Sequence, residues 1–316
     1  MREVSASTAR APILVAPAAF AGTLRAPQVA AALARGLEAG GWPVDPCPVA
    51  DGGTGTLEVL LPALGGEAAA ASAGGRTVGI GLVEDGRTAL VELHAANGEG
   101  ASSAIGELLL AVDATGAEVV IAGAGDVVAA DGGAGAVEAI AVGGGLRARL
   151  VVLCDVRTAV ERAGEALAGT GELERERAQE LATRLDALAR RLPRDPRGVA
   201  WGGTGGGLAG ALWAACDARL ESGAAFVLEQ LDFDARMRGA RAVVVGEGRL
   251  DLGTLAGKAP GEIATRARQG GVPCFAAVGS RALDAFGARI LDLQAVLEAG
   301  DGEALEAAGR RLATLV

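Results

Sequence analysis

Apolar positions along this chain come in short, often β-branched runs, each closed by a turn and followed by apolar residues recurring every three or four positions. Ile13-Leu14-Val15 predicts a first buried strand. The helix after it is marked by Pro27 near its first turn, by Val29, Leu33 and Leu37 on one face, and by Gly40 at its end. Val44 to Val49 predicts a second strand that runs into Ala50-Asp51-Gly52-Gly53-Thr54-Gly55-Thr56, after which Leu57, Leu60 and Leu61 restart a helical face. The unit recurs as Val119 to Ala122, followed by Asp131-Gly132-Gly133-Ala134-Gly135 opening a helix through Ile140. Repeated strand, glycine turn and helix predict an α/β fold.

The middle of the chain breaks that alternation. Thr77 to Val83 and Thr88 to Leu93 are strand-like and joined by Glu84-Asp85-Gly86-Arg87, a hairpin signal. Leu150 to Cys154 predicts a further strand, and Leu173 to Leu192 an amphipathic helix with Leu181, Leu185, Leu188 and Leu192 on its packing face. Near the other end, Arg241 to Val245 reads as a buried strand and Pro260 to Arg268 as a helix.

Composition narrows the function classes. The chain has 316 residues, half of them hydrophobic, and a net charge of -10 without a basic tract, which argues against nucleic acid and anionic membrane as partners. Cys47, Cys154, Cys216 and Cys274 lack metal-ligand spacing and His94 is the single histidine, so neither a zinc site nor a Cys/His pair is suggested. Reduced thiols point to the cytoplasm. Charges, proline and glycine interrupt every apolar run before it reaches bilayer length, and Ala11 to Gly22 reads as a strand and its turn rather than a signal peptide.

Of the 29 Lys and Arg residues, only Lys258 is a lysine. It lies in GEGRLDLGTLAGKAP, residues 246–260, placing Glu247, Arg249, Asp251 and Lys258 on or near a loop at a strand's carboxyl end, where open α/β sheets bind ligands. Two acids and two bases there, among glycines that let backbone approach closely, suit a metal-bound, multiply charged anion. The competing reading is a salt-bridged surface loop. For the two Asp-Gly-Gly turns, the competing reading is helix capping by aspartate.

VADGGTGT at 49–56, ADGGAG at 130–135, CDV at 154–156, GTGGGLAG at 203–210 and GEGRLDLGTLAGKAP at 246–260, in this order and spacing, resemble the bacterial glycerate kinase family. The resemblance implies ATP-dependent phosphorylation of the 2-hydroxyl of D-glycerate and two α/β domains. One is flavodoxin-like and built from both chain ends, residues 1–66 plus 238–316. The other, residues 67–237, is a mixed-sheet domain inserted into it, with the site in the cleft between. ATP, Mg²⁺ and a small hydroxy acid are the expected partners, with a homodimer as the expected assembly.

Departures from the family pattern bear on activity. Where the family has DSFKG after its first strand, this chain has Ala18-Ala19-Phe20-Ala21-Gly22, without the acid and the lysine. Thr54 replaces the acid of ADGGEGT, Ile105 a hydroxyl donor, and the segment GGSATNDGG becomes Gly125-Asp126-Val127-Val128-Ala129-Ala130-Asp131-Gly132-Gly133. The family's GPQKGA segment after CDV has no counterpart. The alternative is therefore a catalytically impaired relative that binds a ligand or a partner.

Under the kinase reading, Asp131 orients or deprotonates the acceptor hydroxyl, and Asp51 shares that task or holds Mg²⁺. Glu247 and Asp251 suit a hard cation, while Arg249 and Lys258 hold phosphate or a carboxylate. Gly205, Gly206 and Gly207, together with Gly52, Gly53, Gly132 and Gly133, offer backbone to an anion. Asn97 is expected to touch ligand, and His94 to be an ordinary satisfied histidine.

Overall fold

A computed structural model of the chain describes residues 10–20, 22–97 and 102–316. Ala21, part of the altered loop after the first strand, lies outside the described residues.

Two sheets organise the chain. Their strands are β1 (Ile13–Pro17), β2 (Val44–Pro46), β3 (Glu67–Ala73), β4 (Arg76–Val83), β5 (Thr88–Glu92), β6 (Val119–Gly123), β7 (Arg149–Cys154), β8 (Arg219–Ser222), β9 (Ala242–Leu250), β10 (Cys274–Arg281) and β11 (Val296–Glu298). The first sheet is five-stranded and wholly parallel, in the order β11-β10-β9-β1-β2. That is the flavodoxin-like arrangement, whose strand order reverses between β1 and β9 and opens a crevice at their carboxyl ends. Both faces of this sheet are covered. Ile13, Val15 and Val244 face the helices Ala26–Ala39 and Gly302–Leu312, while Leu14, Val243 and Val245 face Ala259–Gly270 and neighbouring helices. Two-sided burial explains why these strands read as unbroken apolar runs. Gly36 and Gly309 let the first two helices touch backbone to backbone, since a Cβ on Gly36 would fall 2.1 Å from the Glu306 carbonyl oxygen.

The second sheet is six-stranded and mixed, in the order β3-β4-β5-β6-β7-β8. The β3–β4 and β4–β5 pairs are antiparallel and the others parallel. One face packs Val91, Val120 and Val152 against Ile105, Leu108, Ile140, Leu208 and Leu212 of three helices. Against the other face lie the helices Thr56–Ala63 and Gly223–Gln230, through Val59, Leu60 and Val227. Gly223–Gln230 also sends Ala224 and Leu228 into the core of the parallel sheet, so it is held between the two. The protein thus consists of two α/β domains. Sheet membership changes between Pro46 and Glu67 and changes back between Ser222 and Ala242.

Several elements differ from the sequence reading. β3 carries EAAAASA, a segment to which the apolar pattern assigns no element, and it pairs with β4 along all seven residues at the sheet's edge. β2 stops at Pro46, and the amphipathic helix is Arg175–Ala189, with Leu181 and Leu185 buried. β9 runs on to Leu250 rather than ending at Val245, because β10 continues beside it and pairs Ser280 with Arg249.

Candidate functional site

β1 ends at Pro17, opposite Gly246, so the last residues of β9 are flanked only by β10 and project Glu247 and Arg249 beside the crevice. These two residues are therefore on a strand extension and not on a loop. Asp251 follows as the N-cap of the helix Leu252–Ala256: its Oδ1 accepts from the Gly253 amide at 2.8 Å, and its own amide donates to Thr254 Oγ1 at 3.1 Å. The Thr254 hydroxyl donates in turn to Glu247 Oε1 at 2.7 Å. Gly257, at φ +131, turns the chain into the helix Ala259–Gly270, whose N-cap is Lys258.

A lysine is an unusual N-cap, because its charge meets the positive end of the helix dipole and its side chain accepts no amide. Asp51 makes up for this from the turn after β2, accepting from the Ala259 amide at 3.0 Å through Oδ2. The lysine side chain is left to pass over Gly253, where a Cβ would lie 3.2 Å from its Cε.

Electrostatics identify what surrounds that ammonium. Burial alone would lower the Lys258 pKa, but Asp155, Asp51, Glu172 and Asp126 more than reverse it and hold the group charged well above its ordinary range. The acids outnumber the cation. Burial, with Asp51, Asp126 and Glu172 nearby, pushes the Asp155 carboxyl up to about 7 although Lys258 opposes it. Burial likewise pushes Glu247 up to about 8, against the Thr254 hydrogen bond and Lys258. Asp51 is raised by burial, against Lys258 and the Ala259 amide. For Asp126 burial also acts upward, but the Thr54 amide and hydroxyl, then Lys258 and His94, bring its carboxyl below the usual range.

Two cavities open at this cluster. One of about 430 Å³ is lined by Ala18, Phe20, Asp51, Asp126, Glu247, Arg249, Asp251, Lys258 and Ser280. The other, about 560 Å³, is lined by Asp126, Asp155, Arg157, Glu172, Gly205 and an apolar set including Ala163, Leu167 and Leu252. Asp126 forms part of both walls.

Of the residues expected in the site, Asp51, Glu247, Arg249, Asp251 and Lys258 come together in the smaller cavity and Gly205 reaches the larger. Asp131 joins neither. Its Oδ1 accepts from the Gly133 amide, and its Oδ2 from the Gly135 amide, the Ser102 amide and the Ser102 hydroxyl, all between 3.0 and 3.1 Å. It caps the helix Ala134–Val142 and ties it to the one beginning at Ser103, which is the capping reading of this turn.

The glycines serve packing. A Cβ on Gly52 would lie 2.7 Å from the Leu153 carbonyl oxygen, and one on Gly53 2.6 Å from Asp126 Oδ2. Gly132 and Gly207 are pressed against Leu185, Gly133 against Leu208, and Gly206 against the backbone of Ala129. Among the described residues, Asn97 Oδ1 and His94 Nδ1 are buried without a hydrogen-bond partner, so His94 is not the satisfied histidine expected; its Nε2 lies 3.7 Å from Glu92. No three acidic, histidine or cysteine side chains among the described residues are grouped to hold a metal ion by themselves.

Sequence reasoning missed Asp126, Asp155 and Glu172 as members of this cluster. Asp155 stands inside the quoted CDV motif, which was the available signal; Asp126 sits in a segment whose other changes are all apolar.

Comparison with known proteins places this arrangement. The model of the Glycerate kinase family matches residues 13–169 and 147–308, together nearly the whole chain. The chain belongs to the glycerate kinase family. It is 30% identical to a glycerate kinase of Bacillus subtilis over 327 residues, covering 86% of each chain, and 29% identical to a glycerate 2-kinase of Escherichia coli, covering 85% of each. A crystal structure assigned as glycerate kinase 2 from Salmonella typhimurium LT2 matches with a TM-score of 0.70 at 27% identity, over 97% of this chain and 98% of that one. Against this family the cluster around Lys258 lies at the switch point of the parallel sheet, where a doubly wound fold binds its ligands. No helix among the described residues is long and apolar enough to cross a membrane.

Proposed function

We propose that the protein is an ATP-dependent kinase that phosphorylates the 2-hydroxyl of D-glycerate or a closely related small hydroxy acid. The observation that carries this reading is the single lysine, kept charged by converging carboxylates where two cavities share a wall. Phosphoryl transfer needs positioning and neutralisation of charge on the moving group more than covalent chemistry. In this reading the larger cavity, with its apolar lining, takes the nucleoside, and the smaller polar one takes the hydroxy acid.

Lys258 then faces the transferred phosphoryl as a compact point charge, and Arg249 offers a planar fork to a carboxylate. Asp51 is the better general base, since it lines the acceptor cavity while Asp131 is saturated by four donors. Its Oδ2 is committed to the Ala259 amide, so Oδ1 takes the proton from the hydroxyl.

The excess of acids fits Mg²⁺, which binds through one or two carboxylates together with phosphate oxygens and water rather than through a protein cage. Glu247 and Asp251 would hold it, Asp251 through Oδ2 because Oδ1 caps a helix. Bound there, the cation would neutralise charge on the phosphates and lower the raised carboxyls. Ala18 and Phe20 give the acceptor cavity no charge, so the rate should be modest. We also place the protein in the cytoplasm, since Cys47, Cys154, Cys216 and Cys274 are all free thiols.

The test is a coupled assay of purified protein with Mg-ATP over D-glycerate and related hydroxy acids, with the product's phosphate position read by NMR. Phosphorylation at the 2-position is expected. Binding of a hydroxy acid by calorimetry without turnover of any would overturn this reading in favour of a non-catalytic relative.

A further inference from the structure

Asp126 is one of seven non-glycine residues with positive φ among the described residues, at +60°, just after β6 in the six-stranded sheet. Aspartate tolerates that conformation better than most residues, but it is adopted here for a purpose visible in its contacts. Oδ2 accepts from the Thr54 amide at 2.8 Å, reaching the turn that carries Asp51. Gly53 lies directly beneath that oxygen, where any side chain would strike it. One carboxylate therefore joins the end of β6 to the turn after β2 and forms a wall of both cavities.

Thr54 also lines the smaller cavity, so an acid at 54 and the present Asp126 would bring like charges together. One carboxylate fits there, supplied from one side or the other.

We propose that Asp126 is a positioning residue that supplies, from the strand end of β6, the one carboxylate this junction takes, holding the Asp51 turn and the Lys258 ammonium in register where the cavities meet. The inference rests on the kinase reading for its kinetic test. Asp126→Gly should lower kcat about 100-fold with KM nearly unchanged, the size of a loss from misplaced groups. Thr54→Glu alone should also lower kcat, and the double variant Thr54→Glu/Asp126→Gly should recover kcat at least about tenfold over either single one with KM nearly unchanged throughout, a split that a loss of stability alone would not produce.

A double variant no better than the worse single one, or an Asp126→Gly enzyme with wild-type kcat, would overturn the proposal. If the wild type phosphorylates no hydroxy acid, the kinase reading fails and the exchange is decided by thermal unfolding. Thr54→Glu should then lower Tm by about 3 °C or more in the wild-type background and have no such effect in the D126G background. Equal shifts in the two backgrounds would overturn the exchange.

Discussion

Two turns of this chain read almost alike, Ala50-Asp51-Gly52-Gly53-Thr54-Gly55 and Ala130-Asp131-Gly132-Gly133-Ala134-Gly135, and each opens a helix through a glycine near φ +90°. Their aspartates do different things. Asp131 turns back onto its own helix and Ser102, where four donors occupy both oxygens. Asp51 reaches away from its helix to the Ala259 amide and sits among Lys258 and the other acids. Thr56 frees it to do so, for its hydroxyl accepts from the Gly52 amide and donates to the Gly53 carbonyl, closing the first turn without the aspartate. Like letters therefore fold differently here, for the helix starts at Thr56 after one Asp-Gly-Gly and at Ala134 directly after the other, and the turn each adopts, with the packing around it, decides whether its acid is structural or chemical.

The largest effect is expected at Lys258, on the side of the comparison that faces ligand. Lys258→Ala removes the ammonium on which Asp155, Asp51, Glu172 and Asp126 act and should lower kcat/KM about 100- to 1,000-fold in the Mg-ATP and glycerate assay. Lys258→Arg should not restore it, since the side chain passes close over Gly253 and a planar guanidinium needs more room than an ammonium. Near wild-type turnover in either variant would remove the basis of the kinase reading.

A smaller effect is expected from pH, through the acids that surround Asp51 on the ligand-facing side. Asp155 and Glu247 bind protons more tightly in the folded protein than in the unfolded chain. Their stabilising contribution is full below the ordinary carboxylate pKa and is lost as pH rises through about 7 for Asp155 and about 8 for Glu247. The lowered carboxyl of Asp126 has the opposite sign, losing its contribution only as pH falls through a pKa below the ordinary one. Between about pH 5 and about pH 9, Tm without ligand should therefore fall, and Asp155→Asn and Glu247→Gln should each flatten the profile. A wild-type profile that rises over this range would contradict the assignment of those two acids.

Much of this architecture was legible because burial on both faces writes itself as unbroken apolar runs: β1, β6, β7 and the start of β9 were all visible that way. The hairpin of β4 and β5 was legible from its turn. β3 was not, since alanine favours helix and is depleted in strands, and only pairing with β4 holds the segment extended. The end of β9 was hidden by glycines and charges, and only the length of β10 keeps it extended. At the site, Lys258, Glu247, Arg249 and Asp251 stood in one motif and were found together. Asp126 and Asp155 arrive from strands of the other sheet, and no local pattern says that β6 and β7 point their ends at Lys258.

The comparison is tested most directly by making the same substitution in both turns and measuring kcat and Tm together. Asp51→Asn should lower kcat about 100-fold, as expected for loss of a general base, while Tm moves little. Asp131→Asn can keep its carbonyl oxygen on the three donors at Oδ2 but then sets its NH2 against the Gly133 amide, and should cost about 1–3 kcal/mol of stability, with kcat within about threefold of wild type. The reverse pattern, with catalysis lost at Asp131 and stability lost at Asp51, would contradict the account.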